Sequence, residues 1–241
     1  SLLTLHDTMA YFIDPPAQLL AQRSNRPNPD EHAIAYVAGT WTKWFESDND
    51  LATIVSRHPL ELSRRDVGRL ATEALAGTVT WRCAFMAAMM WGYGTVGYGA
   101  YRTRTMLGTP NAESTIGRAA NLVTTGQLGA AYESFKVRMC GPAFFTKFFY
   151  FVGFGAASLR PLPVVLDSVV ANSLERLGVD VSQFITATRG VDRRITSLGR
   201  DAAGYLRYVE TMDAWAKAIR CRADQIEMWL FTQRPGQRTV P

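Results

Sequence analysis

A chain of 241 residues, 47% hydrophobic and 20% charged, is long enough to bury a large core and has an ordinary globular balance. A formal net charge of +5 and a pI near 9.3 permit a polyanionic partner without requiring one. Cys83, Cys140 and Cys221 lie far apart, without metal-ligand spacing and odd in number, and His6, His32 and His58 are isolated, which argues against a disulfide framework and against a histidine-based metal site or triad.

No uncharged apolar run reaches about 18 residues, and the start of the chain has no signal-peptide pattern. The expectation is a protein of the reducing cytosol, without a membrane partner, a metal or a cofactor. Asp14-Pro15-Pro16 and the prolines of Asn25 to Pro29 mark turns around a short helix. Glu31 to Phe45 sets Ile34, Val37, Trp41, Trp44 and Phe45 at three- and four-residue spacing, which predicts a helix; His32 and His58 read as surface or structural residues. Ser63 followed by Asp66 has the form of a helix start, continued from Val67 to Ala76 and closed by Gly77. Thr78 to Trp91 is apolar on most sides and predicts a buried central helix. It runs into a loop, Trp91 to Gly99, in which four glycines alternate with aromatics, so that the backbone can approach a ligand closely. Further helices are predicted at Ala100 to Leu107, Asn111 to Thr124 and Gln127 to Arg138. The last carries Lys136 and Arg138 close to its end, where they can meet a phosphate.

Gly141-Pro142 breaks the chain and opens Ala143 to Phe151, an almost wholly aromatic helix with one cation, Lys147, ended near Gly153 and Gly155. Pro161 and Pro163 keep the next segment extended, and Asp167 has the chemistry of an N-cap for a helix from Ser168 to Leu177, closed by Gly178. Twenty residues separate Lys147 from Asp167, and the turns between can fold the two together. Spacing alone leaves two readings: the lysine snorkels to water and the aspartate only caps, or they share a site. Val181 to Arg189 predicts a short helix. Arg189, Arg193, Arg194 and Arg200 then cluster around a loop, either a solvated face or a track for a nucleic-acid backbone. Asp201 to Ile219 predicts a long amphipathic helix, Asp224 to Phe231 a last one, and 234–241 a disordered tail. No period-two pattern lasts beyond a few residues, so the reading is all-α, about ten to twelve helices in two lobes of one domain.

The stretch Arg138 to Leu177 resembles the helix-hairpin-helix DNA glycosylase superfamily, in its 8-oxoguanine glycosylase branch. Ala143-Phe144-Phe145-Thr146-Lys147 stands where that branch has Gly-hydrophobic-Gly-Thr-Lys, and Leu162-Pro163-Val164-Val165-Leu166-Asp167 stands where it approaches its aspartate. The two hairpin glycines are replaced by Ala143 and Phe145, with a glycine earlier at Gly141. The resemblance implies a single glycosylase-like domain over 1–241, with the helix-hairpin-helix at about 128–152 and the Asp-capped helix at 167–177. It implies a monomer, cytoplasmic and at the nucleoid, acting on double-stranded DNA that carries a modified base. Lys147 would attack the sugar carbon and Asp167 would stabilise the sugar cation. Lys136, Arg138, Gly141, Ala143, Phe145 and Thr146 would meet the DNA backbone, and Trp91, Gly92, Tyr93 and Gly94 would form the base pocket or a wedge. The iron–sulfur cluster of some superfamily members needs more cysteines than this chain has.

An amine nucleophile must be neutral to attack. Burial among Phe144, Phe145, Phe148 and Phe149 disfavours the ammonium form while a neighbouring carboxylate favours it, and the sequence leaves that balance open. The branch implies 8-oxoguanine as substrate. Relatives that resemble anti-phage defence enzymes excise bulky modified cytosines such as glucosylated hydroxymethylcytosine, and a glycine-rich loop without Gln or Asn suits a roomier pocket. Two other classes compete: a non-catalytic helix-hairpin-helix DNA-binding module, which needs neither Lys147 nor Asp167, and a helical scaffold with no salt-dependent DNA affinity.

Overall fold

A computed structural model of the chain describes residues 13–22, 26–157 and 159–233. After a single turn, α1 (Ala17–Ala21), β1 (Ala33–Ala35) pairs antiparallel with β2 (Glu61–Ser63), with α2 (Ala38–Thr42) and α3 (Asn49–Arg57) between them. Asp48 caps α3 by accepting from Asp50 and Leu51 N–H. Ser63 and Asp66 form a reciprocal capping box at the start of α4 (Arg64–Leu75), and Thr80 caps α5 (Trp81–Tyr93). Then come α6 (Gly99–Leu107), α7 (Ala112–Thr124), α8 (Leu128–Ser134), α9 (Pro142–Gly155) and α10 (Ser168–Arg176). A second ribbon pairs β3 (Ala187–Arg189) with β4 (Ile195–Leu198), and α11 (Ala202–Ile219) and α12 (Ala223–Thr232) close the described chain.

The fold is all-α, with the two ribbons as its only strands among the described residues. Its centre is the mutual packing of α4, α5 and α9. The two last are apolar on every face and buried on nearly every face, as a central helix must be. Glycines allow the closest crossing. A Cβ on Gly68 would lie 2.2 Å from the Phe154 ring, and one on Gly155 would lie 2.9 Å from the backbone nitrogen of Thr72. One apolar cluster runs from Leu19 to Leu230 around this crossing.

Three predicted helices take other forms. Within Glu31 to Phe45 the chain makes a 3-10 turn, strand β1 and only the short α2; Tyr36 N–H and the His32 carbonyl both bond towards β2, which a helix would forbid. Gln127 to Arg138 is helical only to Ser134. Phe135 leaves the helix at ψ 88° and drives its ring into the core against Phe85, Phe145 and Phe149. Val181 to Arg189 is a 3-10 turn followed by β3, because Asn172 on α10 satisfies both backbone groups of Ile195 and seats the ribbon there. Helix α3 had no counterpart in the sequence reading. The predicted tail at 234–241, and His6, lie outside the described residues.

Candidate active site

Asp167 begins α10. Its Oδ1 accepts from the N–H groups of Val169 at 3.0 Å and Val170 at 3.1 Å, which fixes the carboxylate on the helix axis. The segment that delivers it is held from two sides. Thr146 on α9 donates to the Pro142 carbonyl and accepts from Leu166 N–H. From α11, the hydroxyls of Tyr205 and Tyr208 donate to the carbonyls of Val164 and Val165 at 3.0 and 2.8 Å. Those tyrosines sit on the apolar stripe visible in the sequence, but nothing in the pattern distinguished their hydroxyls from ordinary core tyrosines.

Oδ2 of Asp167 faces α9, where it accepts from Lys147 Nζ at 3.1 Å; Nζ also donates to the Ala143 carbonyl at 2.7 Å and lies 5.5 Å from the Phe144 ring centre. Lys147 is 7% exposed and Asp167 8%. Burial pushes the Asp167 carboxyl up, but the Lys147 charge and the N–H groups of Val170 and Val169 outweigh it and hold the group below the usual carboxylate range. Asp167 therefore stays ionised, and the cap does not exhaust it: one oxygen serves the helix and the other serves the amine. The lysine's stem crosses α5 at Gly92, where a Cβ would come within 3.0 Å of Lys147 Cδ.

Lys147 and Asp167 open on a cleft of about 490 Å³. One wall is the end of α5 and the loop after it, from Trp91 to Val96; the opposite walls come from β1, from Val165 to Val169, and from α12. Trp91, Gly92, Tyr93 and Gly94 thus line the cleft. Trp91 and Tyr93 are each 5% exposed, Tyr93 stacked on Phe144 with ring centres 4.3 Å apart, so they suit a wall and not a projecting wedge. Tyr98, further along the same loop, does project: it is 55% exposed, its ring braced edge-on by Tyr93 and covered by the Arg102 guanidinium at 4.9 Å.

The backbone-contact set divides. Lys136, Arg138 and Gly141 are exposed around the turn into α9, and Ala143 is half-buried in its first turn. Phe145 and Thr146 are fully buried, since α9 faces the core on all sides after that first turn; Phe145 packs on Tyr132 and Phe135. Neither side chain can meet a phosphate.

Sequence reasoning missed four contributors to the cleft. His32, read as surface or structural, lines it and packs edge-on against Trp91. Ile34 comes from the strand that was read as helix, and Phe231 from α12. Glu227, also on α12, lies beneath the wall and binds Arg64 at 2.6 and 3.3 Å; Arg64 in turn lies over Trp91 and Tyr150, 5.0 Å from each ring centre. Burial pushes the Glu227 carboxyl up, and the guanidinium only partly offsets that. A single acid inside the apolar run Ile226 to Phe231 was the available signal.

Among the described residues, no cluster of His, Cys, Asp and Glu could hold a metal ion, and no helix is long and apolar enough to cross a membrane. A family model described as "Putative 8-oxoguanine DNA glycosylase OGG-like protein" matches residues 27–231, which takes in the whole cleft. No curated protein and no solved structure matches the chain.

Proposed function

We propose that this chain, which belongs to the OGG-like 8-oxoguanine DNA glycosylase family, everts a modified base from duplex DNA into the cleft and cuts its bond to the sugar. The observation that carries the reading is one amine and one ionised carboxylate, 3.1 Å apart and buried, opening together on a cleft of about 490 Å³. A glycosidic bond inside the stack is out of reach, so the nucleotide must leave it. Lys147 Nζ then forms a bond to C1′ while the glycosidic bond breaks. The electron pair of the glycosidic bond leaves on the base, which takes up a proton; Nζ gives up a proton, and the C1′–O4′ bond then breaks to leave the Schiff base, with O4′ taking up a proton. Asp167 faces the positive charge that grows on the sugar, as carboxylates do in glycoside hydrolysis. β-Elimination from the Schiff base would nick the strand. If the amine keeps its proton, Asp167 instead directs a water and the enzyme is monofunctional.

The duplex docks on the turn into α9, where Gly141 and the first free N–H groups of the helix offer an anion site and Lys136 and Arg138 add charge. Tyr98, exposed and packed against the cleft residue Tyr93, is the candidate to fill the gap left in the stack. The family name points to 8-oxoguanine, whereas the glycine-rich rim and the size of the cleft favour a base with a bulky substituent, such as a glucosylated hydroxymethylcytosine of phage DNA. Borohydride trapping on duplexes carrying each base tests the scheme. Free base and a trapped adduct are expected from the wild type, with no adduct from Lys147→Gln. Free base without an adduct would mark the water route. If neither duplex releases a base, while both are still bound, the protein is a DNA-binding module and the excision reading fails.

A further inference from the structure

Arg189, Arg193 and Arg194 take no part in the cleft. They stand on the β3–β4 ribbon, which α10 seats through Asn172: the side-chain amide accepts from Ile195 N–H at 3.0 Å and donates to the Ile195 carbonyl at 2.9 Å. Between the ribbon and the C-terminal half of α10 lies an open groove of about 500 Å³, where Arg176, Arg189, Arg193 and Arg194 meet Glu175 and Asp192. Four arginines against two carboxylates leave a surplus of two positive charges.

One of the two unmatched cations, Arg176, belongs to α10, where it bonds Ser173 and the Gln233 carbonyl; the other is at the ribbon tip. Arg189 is forked onto Glu175 at 2.6 and 3.1 Å. Arg194 reaches Asp192 only at 3.4 Å, both side chains being well exposed, and among the described residues no carboxylate lies within ion-pair distance of Arg193. Arg193 also holds a left-handed backbone at φ 63°, fixed by its N–H bond to the Gly190 carbonyl, so the turn sets its direction. The foot of the ribbon touches the helix pair that is proposed to dock DNA. Exposed Arg200 donates to the Tyr132 carbonyl at 2.6 Å and lies 4.9 Å over the Phe145 ring. Tyr132 is near the end of α8, four residues before Lys136, so Arg200 joins the exposed cations of the turn to those of the ribbon.

We propose that the β3–β4 ribbon is an arm that follows the DNA phosphate backbone beyond the turn into α9, with Arg193 and Arg194 each meeting a phosphate. A guanidinium forks two phosphate oxygens, and an open, solvated groove lets a strand enter from the side. The inference rests on the glycosylase reading for its partner only; it requires nothing of Lys147 or Asp167.

The test is duplex affinity of the full chain measured between about 50 and 200 mM salt. Each phosphate contact contributes about 0.9 to the slope of log affinity against log salt, so R193A/R194A should lower that slope by about 2 and narrow its gap from the wild type about tenfold over this range. R193K/R194K, which keeps both charges, should restore most of the slope. R65A/R69A, which removes two exposed arginines from α4, should leave it in place. A wild-type slope in R193A/R194A, or an equal fall in R65A/R69A, overturns the arm. A wild-type chain without salt-dependent duplex affinity overturns the glycosylase reading itself, a result distinct from either.

Discussion

Asp167 serves two masters through two oxygens, and a pair of substitutions separates them. Asp167→Asn keeps an amide oxygen for the N–H groups of Val169 and Val170 but turns a donor, without charge, towards Lys147. Asn and Asp cap equally well, so α10 keeps its start. On the proposed scheme the electrostatic stabilisation of the sugar cation is then lost, which for a single well-placed group costs about a hundred- to a thousandfold in rate. Asp167→Ala loses the same charge and the cap as well, a further ~1 kcal/mol. In a domain of this size that is about 2–4 °C of melting temperature. The buried ion pair is gone from both variants, so the comparison between them reads chiefly the cap. Single-turnover excision should therefore fall alike in the two, while thermal melting should place Asp167→Ala below Asp167→Asn, with duplex affinity near wild type in both. Near-normal excision by Asp167→Asn would remove the carboxylate from the chemistry. Coincident melting of the two variants would refute the double role.

The same carboxylate gives the protein an acid limb. Its folded pKa is depressed, so its contribution to stability is complete above the unfolded value of about 3.9 and is lost as pH falls through the lower folded value; the melting temperature of Asp167→Asn should vary less with pH in that window. Gly92→Ala puts a methyl within 3.0 Å of Lys147 Cδ, and excision should drop while the melting temperature holds, since only the lysine stem has to move. Glu227→Gln leaves the Arg64 charge buried without a counter-charge and should cost about 3–5 kcal/mol, read by denaturant unfolding, whereas R64M/E227M should recover much of it. Tyr98→Ala should slow excision from a fully paired duplex but not from a single strand, where there is no gap to fill; equal slowing on both would deny the ring that role.

The helices that carried their own boundary signals were legible. The Ser63–Asp66 capping box, the Gly141-Pro142 break and the Asp167 cap are local chemistry, and each starts a helix where the sequence said it would. The ribbons were not legible. Ala33 to Ala35 is three residues long and is held by Glu61 to Ser63 across a long gap in the chain, so helical spacing from Ile34 to Phe45 was the stronger local signal and misled. The same limit applies in the site. Lys147 and Asp167 lie within one continuous segment, with turn chemistry that folds it back. Glu227 meets Arg64 across 163 residues, and Tyr208 meets Val165 across 43, distances at which a single sequence gives no pairing information. Phe145 and Thr146 show the converse error, since a motif position does not say which face of a helix the core will take.

The arrangement bears on how a lysine so placed can act. Lys147 Nζ has two partners, the Ala143 carbonyl and the Asp167 carboxylate. Asp167, by contrast, is tied at Oδ1 to α10 and through Val164 and Val165 to α11, so it cannot follow Lys147 if the amine moves. An everted nucleotide would bring a second developing positive charge to the same fixed carboxylate. On the proposed scheme, whatever share of Oδ2 the sugar takes would be withdrawn from the amine, freeing Nζ to turn towards the sugar carbon as it becomes electrophilic. A carboxylate held by helix and loop, and not by its partner lysine, is what makes that exchange possible, since the charge is already in place and need not be reoriented as the bond breaks.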